Sequence, residues 1–285
     1  MLNILTLLTL NLISFMVDSS NEHFFIHMNL TDRQAAISEL LREEAFLTVE
    51  SLAEKFAVTT QTIRRDVNAL CDLGLARRRH GGVEPLSTKG NLAYGSRQVL
   101  NRSGKMLVAE TVAKYVQNGS SLSVGIGTTP EIVARALLKH EGLRLFTNSL
   151  NVAQISSGNP GFEVTISGGR LRNEDHDVLG GAVEDFFESY KTDIGIFGVA
   201  GVDADGSLLD FYDEEVRVRN IIRRNCRESY LVLDHHKFGR SAHVRGGQIE
   251  DVSKVFCDQP PPQAIIDLIS ASDAELIICN EEEGA

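Results

Sequence analysis

The chain has 285 residues, 42% hydrophobic and 24% charged, a globular composition with enough length for one large domain plus a small one. Its formal net charge of -11 excludes wholesale electrostatic attraction to nucleic acid or an anionic membrane, so any DNA contact must rest on local clustering of basic residues. Cys71, Cys226, Cys257 and Cys279 form no C-x-x-C pair and have no neighbouring His at metal spacing, which argues against a disulfide or zinc framework and leads us to expect reduced thiols; no His and carboxylate cluster has metal-ligand spacing either, and we expect no metal and no cofactor.

The charge is unevenly spread. Residues 29–90 hold nine Lys and Arg against nine Asp and Glu, whereas 91–285 hold nineteen against twenty-eight. In chain order, Leu2 to Val17 form an apolar run with no Lys or Arg before it and no small-residue cleavage site, and the run is short for a membrane span. We read residues 1–27 as a start-site extension outside any domain, with the working protein beginning near Met28. An anchor is the alternative; we expect a cytoplasmic protein with no membrane partner.

Residues 28–84 read as a winged helix-turn-helix. After Thr31 or Asp32 as cap, Ile37, Leu40 and Leu41 recur at helical spacing. Thr48 then precedes Val49, Leu52, Ala53 and Phe56, a short helix with one apolar stripe. A break at Ala57-Val58-Thr59 leads to a third helix, Thr60 to Asp72, with Ile63, Val67 and Leu70 on one face. Gln61, Arg65 and Asn68 lie opposite, flanked by Arg64 and Thr62. Such a helix suits the major groove, where Arg pairs with guanine and Gln with adenine, although Arg64 or Arg65 suits phosphate as well.

Gly74 can end this helix, and Leu75 to Val83 reads as a hairpin with a Gly-Gly turn at Gly81-Gly82. Arg77, Arg78, Arg79 and His80 give it a basic flank suited to phosphate anchoring or minor-groove insertion. Taken singly, three amphipathic helices also suit a protein-interaction module, and an arginine run suits a solvated surface. The DNA-binding residues we expect are Thr60, Gln61, Thr62, Arg64, Arg65, Asn68, Arg77, Arg78, Arg79 and His80.

Residues 85–104 read as a linker, and 105–280 as an α/β domain. Candidate strands are Ser121 to Ile126, Leu143 to Thr147, Phe162 to Ile166, Asp193 to Val199, Ser229 to Leu233, Lys254 to Cys257 and Glu275 to Cys279. With helices marked by Ile132, Val133, Ala136 and Leu137 and by Ala264, Ile265, Leu268 and Ile269, they imply a mostly parallel sheet covered on both faces.

Ligands of such sheets sit at the carboxyl ends of strands. There, Gly125-Ile126-Gly127-Thr128-Thr129-Pro130-Glu131 can bring backbone N–H groups to an anion at a helix start; Pro130 stands where a dinucleotide fingerprint needs Gly. Further strand tips offer hydroxyls, amides, carboxylates and cations. The effector-binding residues we expect are Gly127, Thr128, Thr129, Glu131, Asn148, Ser149, Asn151, Gly169, Arg170, Asp203, Asp234 and Lys237. Arg170, Arg172 and Arg240 also suit ordinary surface charges, and Asp203 to Gly206 a plain turn.

The run Val58-Thr59-Thr60-Gln61-Thr62-Ile63-Arg64-Arg65-Asp66-Val67, followed by Arg79-His80-Gly81-Gly82, resembles the head of the DeoR family of bacterial sugar-metabolism repressors. Thr59 stands where the family more often has Ser. From about Lys105 to Cys279 the body resembles the same family's effector domain, whose fold is ribose-5-phosphate isomerase-like. The runs Ile126 to Glu131, Thr147 to Ala153, Gly201 to Leu208 and Asp234 to Arg240 are most similar to members that answer glycerol 3-phosphate. His236 replaces the usual Ser before the Lys, and Gly104 stands where Glu is frequent.

The resemblance implies a repressor of glycerol-metabolism genes, its partners being operator DNA and a small phosphorylated metabolite, either glycerol 3-phosphate or a related phosphorylated sugar. It also implies a domain that binds without turnover. A homo-oligomer is expected, because two-fold heads match a palindromic operator. The rival from another class is a sugar-phosphate isomerase with a DNA-binding head, using Asp203, Lys237 or Glu214 as acid and base.

Overall fold

The computed structural model describes residues 30–44, 46–85 and 91–280; the apolar run and the start-site extension read at 1–27 lie outside them. The head begins with helix α1 (Asp32–Glu43), whose N-cap Thr31 and N3 residue Gln34 form a reciprocal capping box. Strand β1 (Leu47–Thr48), helix α2 (Val49–Lys55) and helix α3 (Thr60–Asp72) follow, with Thr48 and Thr59 accepting from the first-turn N–H groups of α2 and α3. The turn between these helices takes Ala57 into the left-handed region.

Strands β2 (Ala76–Arg79) and β3 (Gly82–Pro85) make the wing, and β3 pairs with β1 on its other edge. Ile37, Leu41, Leu52, Ile63, Val67, Leu70 and Val83 form the head's core. Asp66, buried on α3, accepts from Arg33 Nε (2.6 Å) and Gln34 Nε2 (3.1 Å), which ties α1 to α3. Within the segment read as a linker lies α4 (Tyr94–Val99), and α5 (Arg102–Tyr115) starts before that segment ends.

The body continues with β4 (Ser121–Val124), α6 (Thr128–Ala136), β5 (Arg144–Thr147), α7 (Leu150–Ser156), β6 (Glu163–Ile166), the small strands β7 (Leu171–Arg172) and β8 (Asp177–Val178), α8 (Gly181–Glu188) and β9 (Thr192–Phe197). It is completed by β10 (Gly201–Val202), β11 (Ser207–Asp210), α9 (Asp213–Arg224), β12 (Cys226–Leu233), β13 (Val244–Gln248), β14 (Lys254–Cys257), α10 (Gln263–Ser270) and β15 (Glu275–Ile278). The seven strands expected from the sequence form one all-parallel sheet in the order β15-β14-β12-β9-β4-β5-β6.

Both faces are covered. Tyr230 and Val232 of β12 face Val108, Val112, Val133 and Val152 from α5, α6 and α7. Leu231 and Leu233 face Phe187, Ile221, Ile222 and Ile265 from α8, α9 and α10. This two-sided burial explains the near-continuous apolar runs. The chain moves outward from β4 through β5 to β6, then returns to β9 and proceeds the other way, so the order reverses between β4 and β9. An antiparallel sheet, β10-β11-β13, stands beside this end of the body, and the sequence reading did not foresee it. Among the described residues, no helix is long and apolar enough to cross a membrane.

Candidate functional site

The reversal between β4 and β9 opens a crevice at the strands' carboxyl ends, where ligands of open α/β sheets bind. A pocket lies there, lined by Gly125 to Pro130 after β4, Gly198 to Ala200 after β9, and Lys237 and Arg240 after β12. Between its atoms is roughly 890 Å³ of space, part of it open to solvent. Gly127, with φ of 119°, caps α6 and turns the chain so that the helix start faces the pocket, a place where helix N–H groups and the macrodipole favour an anion.

Cations reinforce that polarity. Burial pushes the Lys237 ammonium down to about 7, the nearby Asp234 carboxylate opposing the shift. Lys105, 3% exposed, donates to the Arg97 carbonyl (2.5 Å) and to Thr128 Oγ1 (3.3 Å). Burial lowers its pKa to about 8. Burial pushes the Asp234 carboxyl up, but donation from His236 and the charges of Lys105 and Lys237 outweigh it and hold the group well below the carboxylate range.

An ion network lines the rest of the pocket. Arg97 pairs with Asp175, and Arg172 binds Asp177 through Nε (2.9 Å) and Nη2 (2.7 Å) and Glu215 through Nη2 (2.7 Å). Arg219 lies 3.1 Å from Asp210 Oδ2 through Nε and 2.9 Å through Nη2. Burial raises the carboxyl pKa values of Asp210 and Glu215. The pocket therefore offers cations and helix N–H groups suited to phosphate, and carboxylate oxygens that can accept from hydroxyls.

Of the expected effector residues, Gly127, Thr128, Thr129 and Lys237 line this pocket. The others stand elsewhere. Glu131 is buried, accepting from Tyr94 and from Asn151 Nδ2 (3.1 Å); both residues support the wall from behind. Asn148 donates to the Val178 carbonyl, Ser149 caps α7, and Gly169 packs where a Cβ would sit 2.5 Å from Val178. The short polar side chains of Asn148 and Ser149 thus satisfy backbone atoms of their own loops. Arg170 is exposed, whereas Arg172, two residues on, is drawn into the pocket by three carboxylates. Asp203 lies in the exposed β10-β11 turn. Asp234 lies beneath, starting the short turn that carries Lys237.

Sequence reasoning missed Tyr94, Arg97, Asp175, Asp210, Glu215 and Arg219. Tyr94 and Arg97 belong to α4, hidden in an apparent linker. The acid-base set considered for an isomerase is not assembled: Lys237 lines the pocket, whereas Asp203 and Glu214 are exposed and outside its lining.

On the head, Ile63, Val67 and Leu70 are at most 1% exposed, while Thr60, Gln61, Arg64, Arg65 and Asn68 face solvent; Thr62 is half-buried and its hydroxyl lies 2.9 Å from that of Thr59. Arg77, Arg78, Arg79 and His80 are exposed along the wing. Arg77 and Arg79 both pair with Glu84 on β3, and Arg64, Arg78, Arg79 and His80 line a groove between α3 and the wing.

Glu39 on α1 meets the body where His236 Nε2 comes within 2.8 Å of its Oε2. The rings of His235 and His236 lie against one another at a tilt of 37°, centroids 3.8 Å apart, with their Nδ1 atoms on Asp258 and Asp234. Glu39, His235 and His236 thus bring metal-type ligand atoms within 4.8 Å of one another. The sequence reading, confined to local spacing, expected no such group.

A winged helix-turn-helix carried on an α/β body with an anion pocket at its switch point defines a ligand-responsive DNA-binding regulator. Residues 33–89 match the DeoR-like helix-turn-helix domain and residues 100–259 the DeoR C terminal sensor domain. The glycerol-3-phosphate regulon repressor of Escherichia coli strain K12 is 41% identical over 252 residues, covering 88% of this chain and 100% of that one. Its Haemophilus influenzae counterpart is 41% identical over 87% of this chain and 96% of that one. The repressor CsqR of E. coli is 36% identical over 90% and 100%. This chain belongs to the DeoR family of transcriptional repressors. Among solved structures, ribose 5-phosphate isomerase A of Methanocaldococcus jannaschii aligns over 49% of this chain and 56% of that one, at 16% identity and a TM-score of 0.37.

Proposed function

We propose that this protein represses genes of glycerol and glycerol 3-phosphate metabolism and that glycerol 3-phosphate releases it from operator DNA. A homo-oligomer in the cytoplasm grips a palindromic operator, α3 reading base edges and the wing anchoring phosphates. The phosphate of the effector enters at the start of α6 between Lys237, Arg97 and Arg240, and its two hydroxyls donate to carboxylates of the ion network. No cofactor takes part.

The observation that carries this reading is the pairing, in one pocket, of buried cations at a helix start with the carboxylates of that network. The names and full-length similarity of the relatives support the choice of effector. Calorimetric titration of the purified chain with glycerol 3-phosphate, glycerol and inorganic phosphate tests it. Glycerol 3-phosphate should bind at least about tenfold more tightly than either fragment, each of which meets only half of the polar groups. Equal binding by inorganic phosphate would remove the hydroxyl contacts, and absence of binding would remove the effector.

A further inference from the structure

Among the described residues, two polar contacts that join the head to the body stand out. In the first, Ser96, 2% exposed on α4, donates its hydroxyl to the carbonyl of Leu73, the C-cap of α3. In the second, His236 Nε2 meets Glu39 Oε2 of α1 at 2.8 Å, and α1 is in turn fastened to α3 through Asp66. Both contacts therefore bear on the orientation of α3, one at its end and one through the neighbouring helix.

The two contact residues share a further property. Ser96 immediately precedes Arg97, and His236 immediately precedes Lys237; Arg97 and Lys237 are both cations of the pocket lining. Adjacent Cα atoms are fixed at about 3.8 Å, so a cation cannot be drawn toward a ligand by backbone movement without its neighbour moving. Arg97 is also held at its carbonyl by Lys105 and Thr128, and His236 by Asp234, whose charge acts on Lys237. The contacts are thus built into the frame of the anion site.

We infer that Ser96 and His236 are the residues through which the head reads whether the pocket is filled. The inference rests on the proposed effector reading and adds its route. A phosphate that draws Arg97 and Lys237 toward the start of α6 pulls Ser96 from Leu73 and His236 from Glu39. Recognition helices of a two-fold assembly fit both half-sites only at one spacing. Release of both contacts frees α3 from the spacing the body imposes, and operator affinity falls. Coupling of this kind ordinarily spans about 5- to 150-fold in affinity.

The test uses the full chain and the variants Ser96→Ala, Glu39→Ala and the double substitution, each checked for a wild-type melting profile. Glycerol 3-phosphate affinity is measured by calorimetry, and operator affinity by fluorescence anisotropy with and without saturating glycerol 3-phosphate. Neither substituted residue lines the pocket, and effector binding no longer has to break the contacts, so effector affinity should be retained or rise; a loss would contradict the route. Each single variant should lose part of the effector response, and the double variant's two operator affinities should differ by less than about twofold. Its ligand-free affinity should lie near that of the effector-bound wild type. Glu39→Gln, which keeps an acceptor facing His236, should retain the response. A double variant that responds like an effector-sensitive wild type would overturn the inference alone. A wild type insensitive to glycerol 3-phosphate would overturn the effector reading and, with it, this route.

Discussion

Arg219 and Asp210 face one another inside the pocket wall, Arg219 Nη2 2.9 Å from Asp210 Oδ2, with both side chains under 10% exposed. Arg219 also donates to the Gly246 carbonyl through Nη1 (3.0 Å). Removing one partner of a buried pair leaves a charge without compensation, which typically costs about 3–5 kcal/mol. Arg219→Met should therefore lower unfolding free energy by about that amount in urea denaturation. Burial already raises the Asp210 pKa. In the variant the protonated carboxyl is the better-tolerated form, so the loss should shrink as pH falls. A loss below about 1 kcal/mol at neutral pH would contradict the pair's structural role.

Lys237 gives the pocket a pH dependence of known sign. Its folded-state pKa, near 7, means that it is cationic below pH 7 and largely neutral above. Phosphate binding favours the cation and raises that pKa, so affinity is full below about 7 and weakens as pH rises beyond it. The second ionisation of a phosphate monoester, near 6, acts oppositely. Effector affinity should peak between about pH 6 and 7, and binding at pH 8 should take up a proton, read as a dependence of calorimetric enthalpy on buffer. A flat profile and no proton uptake would contradict this pH dependence.

Arg65 and Arg78 should fail in different ways. Arg65 is exposed on α3, while Arg78 faces the groove it shares with Arg64. Arg65→Ala should weaken operator binding by about 1–3 kcal/mol and leave random-sequence binding nearly intact. Arg78→Ala should weaken both and reduce the salt slope by about one phosphate contact. Equal losses on operator and random DNA for Arg65→Ala would reassign that residue to the backbone.

Gly82 tests the wing separately from the pocket. A Cβ there would lie 2.1 Å from the Leu47 carbonyl and 2.7 Å from the Phe46 ring, so Gly82→Ala must push β3 from β1. Destabilisation of the head by about 1–3 kcal/mol is expected, with loss of operator binding and no change in calorimetric effector affinity. Retained operator affinity would show that the β1-β3 pairing is dispensable for DNA binding.

Much of this architecture was legible because regular elements carry local signatures. Ile63, Val67 and Leu70 repeat at helical spacing, and Thr59 marks the start of α3. The parallel strands show as apolar runs because both faces are covered. Less of the pocket was legible. Gly127, Thr128 and Lys237 stand at strand tips, where chain direction alone points to a ligand. Arg97 instead reaches the site from a six-residue helix within polar sequence, and Asp210 and Arg219 reach it from β11 and α9, nine positions apart. Neither they nor the Glu39–His236 contact, which spans 197 positions, leaves a local pattern. Asn148 and Ser149 sit in the right kind of loop, but the Asn148 amide N–H donates to the Val178 carbonyl and the Ser149 hydroxyl caps α7.

Filling the pocket should weaken the grip on DNA. This is read from the dissociation constant of the purified chain for duplex DNA from its own promoter region, at fixed salt, as glycerol 3-phosphate is raised to saturation. A saturable loss of affinity of about 5-fold or more is expected, absent with glycerol alone. An operator affinity unchanged at saturating glycerol 3-phosphate would mean that the pocket and the DNA-binding head are not coupled through this ligand.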